Sequence, residues 1–520
     1  MQRGLAADTR RERAPLGPRA SIGVIDLGSN TARFVAFDAA SSRTVRAVYE
    51  TKDSPRLGLA TGHDGALSEA AIARGIATVR RFARIVEGLG LPRSIAVATS
   101  AVRDAPNGPG FVKEVERATG VKLRILPGAE EARYGYLGAA SAWQLDNDIV
   151  FDLGGGSLQL AEVRGGALRN SVSLPLGALR VTQRFLEHDP PKRREVDELR
   201  TYVRDVLDSS VRAFGGASYR LIGLGGTVRS LARAAIELRE FPIRRVHGYP
   251  LYDHDIEALH ELLGEMSSSK RRAVRGIGGD RADVVVAGIV VLEELLRSVR
   301  AERIVVSSTG IREGLALEAI GAELPATAAA LADRSVAAAR EALALRSDDG
   351  RPPLEATALA LFDLFAGRFD GGASERLALS VAAGMHDAGI AIDLWNHARH
   401  ASYLAQNYPI WGLDQREVLL ASMAAYLHEG DPPPSEWKRE YLPIVGVHEV
   451  EVAVRLGALL EAAELLGTAR PRFAVGGGGR SLTVSFSAAD DASLPPRWLE
   501  KLRRPMERAF GVEVRSRDTG

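Results

Sequence analysis

Two aspartate-led, glycine-rich turns recur 126 residues apart in this 520-residue chain (152 − 26), and that duplication commits it to two related lobes. The first turn is Asp26-Leu27-Gly28-Ser29-Asn30-Thr31, between Ile22-Gly23-Val24-Ile25 and Phe34-Val35-Ala36-Phe37. The second is Asp152-Leu153-Gly154-Gly155-Gly156-Ser157, between Ile149-Val150-Phe151 and Leu158-Gln159-Leu160-Ala161. Each reads strand, tight turn, strand. A turn lacking Cβ atoms lets backbone N–H groups crowd around one anion, and Ser29, Thr31 or Ser157 supplies a hydroxyl donor. Phosphate is the guest such a turn suits. The leading carboxylates repel bare phosphate, so their presence implies a divalent cation between protein and phosphate oxygens. One such turn is an ordinary hairpin loop; two at domain-sized spacing, if they face each other, make a phosphate clamp.

Composition narrows the chemistry. With no cysteine, the chain has no disulfide, thiolate metal site, iron–sulfur cluster or thiol nucleophile. Lys and Arg (67) nearly cancel Asp and Glu (66), so no global field recruits nucleic acid or an anionic membrane. The longest apolar run, Val284 to Leu292, is too short to span a bilayer, and a cytoplasmic location is expected. Residues 1–20, with five arginines, Pro15 and Pro18, read as a disordered leader.

From 21 to 140 short apolar strands alternate with amphipathic helices, notably Leu67 to Leu89 and Phe111 to Ala118. A second lobe, 141–317, carries helices Glu195 to Phe214 and Asp255 to Met266 and strands Tyr219 to Gly223 and Arg303 to Ser307. Alternation in both lobes predicts α/β architecture with mixed sheets. Residues 318–468 are almost purely helical by periodicity, predicting a helical bundle. Residues 469–520 open with Gly476-Gly477-Gly478-Gly479, continue as a strand from Leu482 to Phe486 and close with a helix from Trp498 to Phe510, a small α/β appendage.

Further segments carry chemistry. Glu130-Glu131 opens a helix, where acidic residues complement the macrodipole; one of them aimed into a phosphate cleft would deprotonate an attacking water. Arg103 follows a strand and either grips a phosphate bidentately or pairs with Asp104. Gly225-Gly226-Thr227 runs strand into helix and presents N-terminal amides. Ser307 to Gly314 repeats that arrangement, closing a cleft floor or capping a helix. Lys270-Arg271-Arg272 and Arg244-Arg245 are candidate local basic patches. His386-Asp387, His397 and His400 suggest a histidine–aspartate metal phosphohydrolase, but no histidine lies between Gly350 and Phe369 and Ala424 to His428 offers no aspartate at a helical ligand position, so they read as structural or surface histidines.

The ordered set resembles the exopolyphosphatase and guanosine pentaphosphate phosphatase family, a branch of the actin, sugar-kinase and heat-shock-chaperone ATPase superfamily. The likeness rests on the Asp26 turn, the Arg103 segment, Glu130-Glu131, the Asp152 turn, Ser173 to Ala178, Gly225-Gly226-Thr227, His247-Gly248-Tyr249 and Thr309 to Gly314, in family order. His386-Asp387 and Arg399-His400 also look like the family's degenerate histidine–aspartate helical domain. The resemblance implies two actin-like, ribonuclease H-like lobes and hydrolysis of a terminal phosphoanhydride of inorganic polyphosphate or guanosine pentaphosphate. It casts Glu131 as general base, Asp26 and Asp152 as magnesium-side carboxylates and Arg103 as terminal-phosphate clamp. Gly28, Ser29, Asn30, Thr31, Gly154, Gly155, Gly156, Ser157, Gly225, Gly226 and Thr227 would cradle phosphate, and a homodimer is implied. Where the family usually carries Glu, two residues after the serine of the second turn, this chain has Gln159, at the third metal position. Magnesium sites often need only one or two protein carboxylates, so Asp26 and Asp152 suffice in principle. A non-catalytic phosphate or alarmone sensor, motivated by Gln159, and an actin-like kinase are the other classes the sequence leaves open.

Overall fold

The computed structural model describes residues 21–39, 44–59, 65–211, 214, 219–345, 354–369, 371–430, 432–435, 437, 441, 444, 446–468, 473–478, 481–486 and 498–518. The expected leader lies outside them. Strands β1 (Ile22–Leu27), β2 (Ala32–Ala39), β3 (Val45–Asp53), β4 (Ser94–Ala98) and β5 (Leu123–Ile125) form one sheet in the order β3-β2-β1-β4-β5. Strands β6 (Asp148–Leu153), β7 (Leu158–Arg164), β8 (Ala167–Leu174), β9 (Arg220–Leu224), β10 (Pro250–Tyr252) and β11 (Arg303–Val306) form the second, in the order β10-β11-β9-β6-β7-β8. In both, the aspartate-bearing strand pairs antiparallel with the strand after its turn and parallel with the strand on its other side. The duplication seen in two short motifs is therefore a duplication of sheet topology.

The helices fall close to where periodicity placed them. Glu69–Gly88 is capped by Ser68, whose side chain accepts from Ala71 N, and Gly108–Thr119 stops at Gly120, which takes the left-handed conformation favouring glycine. The run from Val284 to Leu292 caps and opens a buried core helix, Val285–Val299. Among the described residues no helix is long and apolar enough to cross a membrane.

The helix Ile311–Ala319 follows the second sheet in sequence but packs in the first lobe, where Ile311, Leu315 and Ala316 share a core with Ile22, Val24, Val35 and Phe37. It crosses Gly128–Ala140 through glycines. A Cβ on Gly138 would stand 2.0 Å from Gly310 O, and one on Gly314 2.2 Å from Tyr134 O. Backbone thus meets backbone where the chain returns from the second lobe to the first.

Helices Ala328–Ala342, Leu354–Phe365, Ala373–Met385, His397–Asn407, Gln415–Leu427 and Val447–Thr468 build the third region around one apolar core. The tail departs from expectation in two ways. Gly476, Gly477 and Gly478, to which the sequence assigned no element, belong to β12 (Phe473–Gly478), paired with β13 (Ser481–Phe486), which itself pairs with β14 (Glu513–Asp518). Nor does the tail stand apart: Leu502, Met506, Val512 and Val514 are buried in the helical core, and Phe510 stacks on Phe365 at 4.9 Å. The fourfold spacing of Leu502, Met506 and Phe510 puts one apolar stripe on that core.

Each candidate basic patch loses one member to the interior, while Lys270, Arg272 and Arg244 stay exposed. Arg271 is buried and donates to Leu263 O and Ala282 O, while Arg245 donates to Tyr408 O and Ile410 O and fastens the helical region to the second lobe.

Gly314→Ala should force the two crossing helices apart and cost about 1–3 kcal/mol. Gly110→Ala, at a helical position with open space around its Cβ, should be neutral or slightly stabilising. Thermal midpoints of the two variants check this.

Candidate active site

Asp26 and Asp152 each end an inner strand whose parallel neighbour stops beside it, which opens a cleft outside the carboxyl ends of the strands. Both turns close with the same bond: Gly28 N–H donates to Thr31 O at 3.1 Å and Gly154 N–H to Ser157 O at 3.1 Å. The turns meet. A Cβ on Gly155 would lie 3.1 Å from Asn30 Cβ, and one on Gly156 2.5 Å from Ser29 Oγ and 2.3 Å from Ser100 Oγ. Glycine at 155 and 156 is what lets the second turn seat on the first.

The helix Ala178–Phe185 fixes the second turn from behind. Ala178 N–H donates to Gly154 O, Leu179 N–H and Arg180 N–H to Gly155 O, and Arg180 Nε to Gly156 O. With those carbonyls committed to the helix, the turn offers amides and the Ser157 hydroxyl to the cleft.

Glu131 sits in the first turn of Gly128–Ala140 and lines the cleft with Asp26 and Asp152, while its neighbour Glu130 turns outward to Arg124 at 2.6 Å. The structure therefore divides the acidic pair. Burial pushes Glu131 from its ordinary 4.5 to about 7; Arg103 opposes the rise and the charges of Asp152 and Asp26 add to it. Burial also raises Asp26 and Asp152, partly offset by surrounding arginines.

Arg33, Arg229, Arg281 and Arg312 line the same cleft, so four arginines face three carboxylates there. Arg312 approaches Asp26 at 3.4 Å, whereas Asp152 has no ion-pair partner among the described residues. Burial, with Arg312 and Arg33 nearby, pulls Arg229 down to about 9. Such a crowd of desolvated cations suits a polyanion.

Of the residues singled out from sequence, Gly28, Ser29, Asn30, Thr31, Gly154, Gly155, Ser157, Gly225, Gly226 and Gln159 line the cleft with the three carboxylates. Three lie behind its wall. Gly156 packs on Ser29 and Ser100, Thr227 is buried and accepts from Arg281 Nη1, and Arg103 donates to Glu131 Oε2 at 2.7 Å and Leu126 O at 3.1 Å. Arg103 also pairs with Asp104, the second of its two sequence alternatives, and it holds Glu131 rather than facing the cleft directly. Gly310, Ile311 and Arg312 form part of the cleft while Gly310 N–H donates to Glu313, so that turn both caps a helix and closes the cleft. His386, Asp387, His397 and His400 do not line it.

Sequence reasoning missed Arg33, Arg281, Thr99 and Ser100, and gave Arg229 no role. The available signal was position: Arg33 lies across from Asp26 in the ladder, and Arg229 stands one helical turn after Gly225.

Oxygen donors from two half-buried carboxylates, with hydroxyls and the Gln159 amide around them, fit a hard divalent cation. Gly225, in left-handed conformation, would place a Cβ 2.5 Å from Asp152 Oδ1, so only glycine keeps that carboxylate clear.

Sequence comparison now adds to the geometry. The Ppx/GppA phosphatase family model matches residues 35–323, and the model for Ppx/GppA phosphatase, domain III, matches residues 353–470. The chain belongs to the Ppx/GppA phosphatase family. It is 32% identical over 314 residues to exopolyphosphatase 1 of Mycobacterium tuberculosis, covering 59% of this chain and 90% of that one. An exopolyphosphatase structure from Cytophaga hutchinsonii aligns at 27% identity with a TM-score of 0.54, covering 58% of this chain and 99% of that one. The Aquifex aeolicus Ppx/GppA family member aligns at 27% identity with a TM-score of 0.50, covering 57% and 97%. The fold is the mixed α/β actin-like fold of this family with a helical C-terminal region, and family membership makes the chain a phosphoanhydride hydrolase.

Because the fold raises Glu131, stability it withholds from the ionised carboxyl grows as pH climbs from 4.5 toward 7. Glu131→Gln should therefore exceed the parent in stability by about 1–3 kcal/mol at pH 8, the gap closing near pH 4. Melting both proteins across that range checks the sign.

Proposed function

We propose that this chain is an exopolyphosphatase that removes the terminal phosphate of inorganic polyphosphate as orthophosphate. The observation carrying the reading is Glu131: a buried carboxylate, poised at about 7, beside two facing phosphate-sized turns. The terminal phosphate seats against the hydroxyls and the uncommitted amides of the two turns, those of Gly28 and Gly154 being bonded within them. Glu131 takes a proton from water as its oxygen attacks the terminal phosphorus in line; the new P–O bond forms as the bridging P–O bond breaks. The electron pair leaves on the shortened chain, whose charge Arg33, Arg229, Arg281 and Arg312 offset. Arg103 keeps the Glu131 carboxylate aimed. Asp26 and Asp152, with Gln159 adjacent, would hold magnesium, which when bound neutralises phosphate oxygens.

Glu131→Gln should lower turnover by about 10²–10⁴ with the fold intact. In the parent, kcat/KM should climb with pH up to an apparent pKa near 7 and then level, because the base must be deprotonated. Orthophosphate release from long-chain polyphosphate measures both; equal rates for parent and variant would remove Glu131 from the chemistry. Chelation of divalent cations should abolish release, and Gln159→Glu, by adding a carboxylate, should lower the magnesium concentration giving half-maximal rate.

A second reading, hydrolysis of guanosine pentaphosphate, has its own support. Arg33, Arg229 and Arg312 also border a cavity of about 330 Å³ whose walls include Phe37, Leu331, Tyr408 and Trp411. Apolar and aromatic walls next to a phosphate cleft suit a nucleoside. Competition between the two substrates in one assay ranks them, and tight binding of either without phosphate release would favour a sensor.

A further inference from the structure

Outside the phosphate cleft, three helix ends in the third region converge on imidazoles. His386 follows Ala373–Met385, His397 begins His397–Asn407, and His428 follows Gln415–Leu427. Each ring is tethered in the same way: Nδ1 lies 2.8 Å from Ala383 O in His386, 3.0 Å from Leu394 O in His397 and 2.8 Å from Ala425 O in His428. A carbonyl oxygen only accepts, so Nδ1 carries the proton and Nε2 presents a lone pair. This is the arrangement by which backbone carbonyls orient metal-binding histidines.

The spacing is right for one ion. The His428 ring centroid is 5.5 Å from that of His397 and 5.7 Å from that of His386. Two imidazoles sharing a tetrahedral ion, with metal–nitrogen distances of about 2.0–2.1 Å, have centroids roughly 5 Å apart. Ligand atoms of His397, His428 and Glu429 all lie within 4.8 Å of one another. The Nε2 of His428 is wholly buried with no hydrogen-bond partner, Glu464 Oε2 standing 3.9 Å away, beyond hydrogen-bond reach. A buried acceptor left unpaired is costly, and a metal would satisfy it.

We propose that His397, His428 and Glu429, with His386 alongside, bind a divalent transition ion of the zinc class. Two or three imidazole nitrogens with one carboxylate select zinc, cobalt or nickel over magnesium or calcium, which take oxygen ligands. Asp387 is no part of the set, since Arg340 holds it at 2.5 and 3.1 Å. The ion would tie three helix ends together and pin both ends of the segment between His386 and His397, in which Ile390, Ile392, Leu394 and Trp395 are exposed.

The test is cobalt titration of the chelator-stripped full chain in magnesium buffer. Intense visible absorption of four-coordinate cobalt should saturate at one ion per chain and bleach on adding zinc. The cleft offers mainly oxygen donors and gives only a weak octahedral spectrum, so the signal belongs to the imidazoles whether or not the chain hydrolyses polyphosphate. His397→Gln and Glu429→Gln, on the more open side of the cluster, should each weaken cobalt binding ~10-fold or more with the circular dichroism of the parent. Only weak octahedral bands in the parent, or an intense spectrum unchanged in both variants, would overturn the assignment.

Discussion

The seating of one glycine turn on the other is the constraint from which the rest of the cleft follows. Gly156 approaches Ser29 and Ser100 so closely that a Cβ would clash, and Gly155 sits tightly against Asn30. That contact brings two inner-strand aspartates to a common, largely desolvated opening. Once desolvated, Asp26, Asp152 and Glu131 need countercharge, and the surrounding arginines supply it. The same desolvation lifts Glu131 into the range where a carboxylate serves as a base near neutrality. Packing, electrostatics and chemistry are thus consequences of one steric fact.

Much of this was legible in sequence because the informative features are local. A strand ending in Asp-Leu-Gly fixes a turn within six residues, and its recurrence announces the second lobe. Helices such as Leu354–Phe365 and Trp498–Phe510 emerged from periodicity alone. What escaped depends on long-range contact. Arg281 reaches the cleft from a loop with no motif of its own, and nothing near Ile311 says that its helix returns to the first lobe. The outer strand Val45–Asp53 went unread because it is half exposed and carries Arg46, Glu50, Lys52 and Asp53. Near-zero net charge concealed a concentrated cationic cleft, since a sum carries no positions.

The His247-Gly248-Tyr249 motif shows the same limit. It contributes to the family likeness yet does not line the cleft. His247 stacks on Trp143 at 4.5 Å and meets Trp411 edge-on at 4.8 Å, while Gln415 donates to Arg245 O at 2.7 Å. Burial and the neighbouring Arg245 hold the His247 imidazole well below its ordinary pKa, so it packs as a neutral ring. The motif joins the second lobe to the helical region, beside Tyr408 and Trp411, which wall the cavity adjoining the cleft.

Pairing across the two hairpins also gives Gln159 a physical meaning. The register sets Asp26 opposite Arg33 and Asp152 opposite Gln159, so the duplicated position is cationic in one lobe and neutral in the other. The Gln159 amide lies 2.6 Å from Ser157 Oγ and 3.1 Å from Ser173 Oγ, which ties it to the rim of the second turn. A glutamate here would put a fourth carboxylate into a pocket where three already resist ionisation, and would need a cation to hold it charged. With glutamine, four arginines face three carboxylates and the cleft keeps a surplus of positive charge for an anion. Glutamine at 159 therefore leaves that surplus uncancelled beside Asp152.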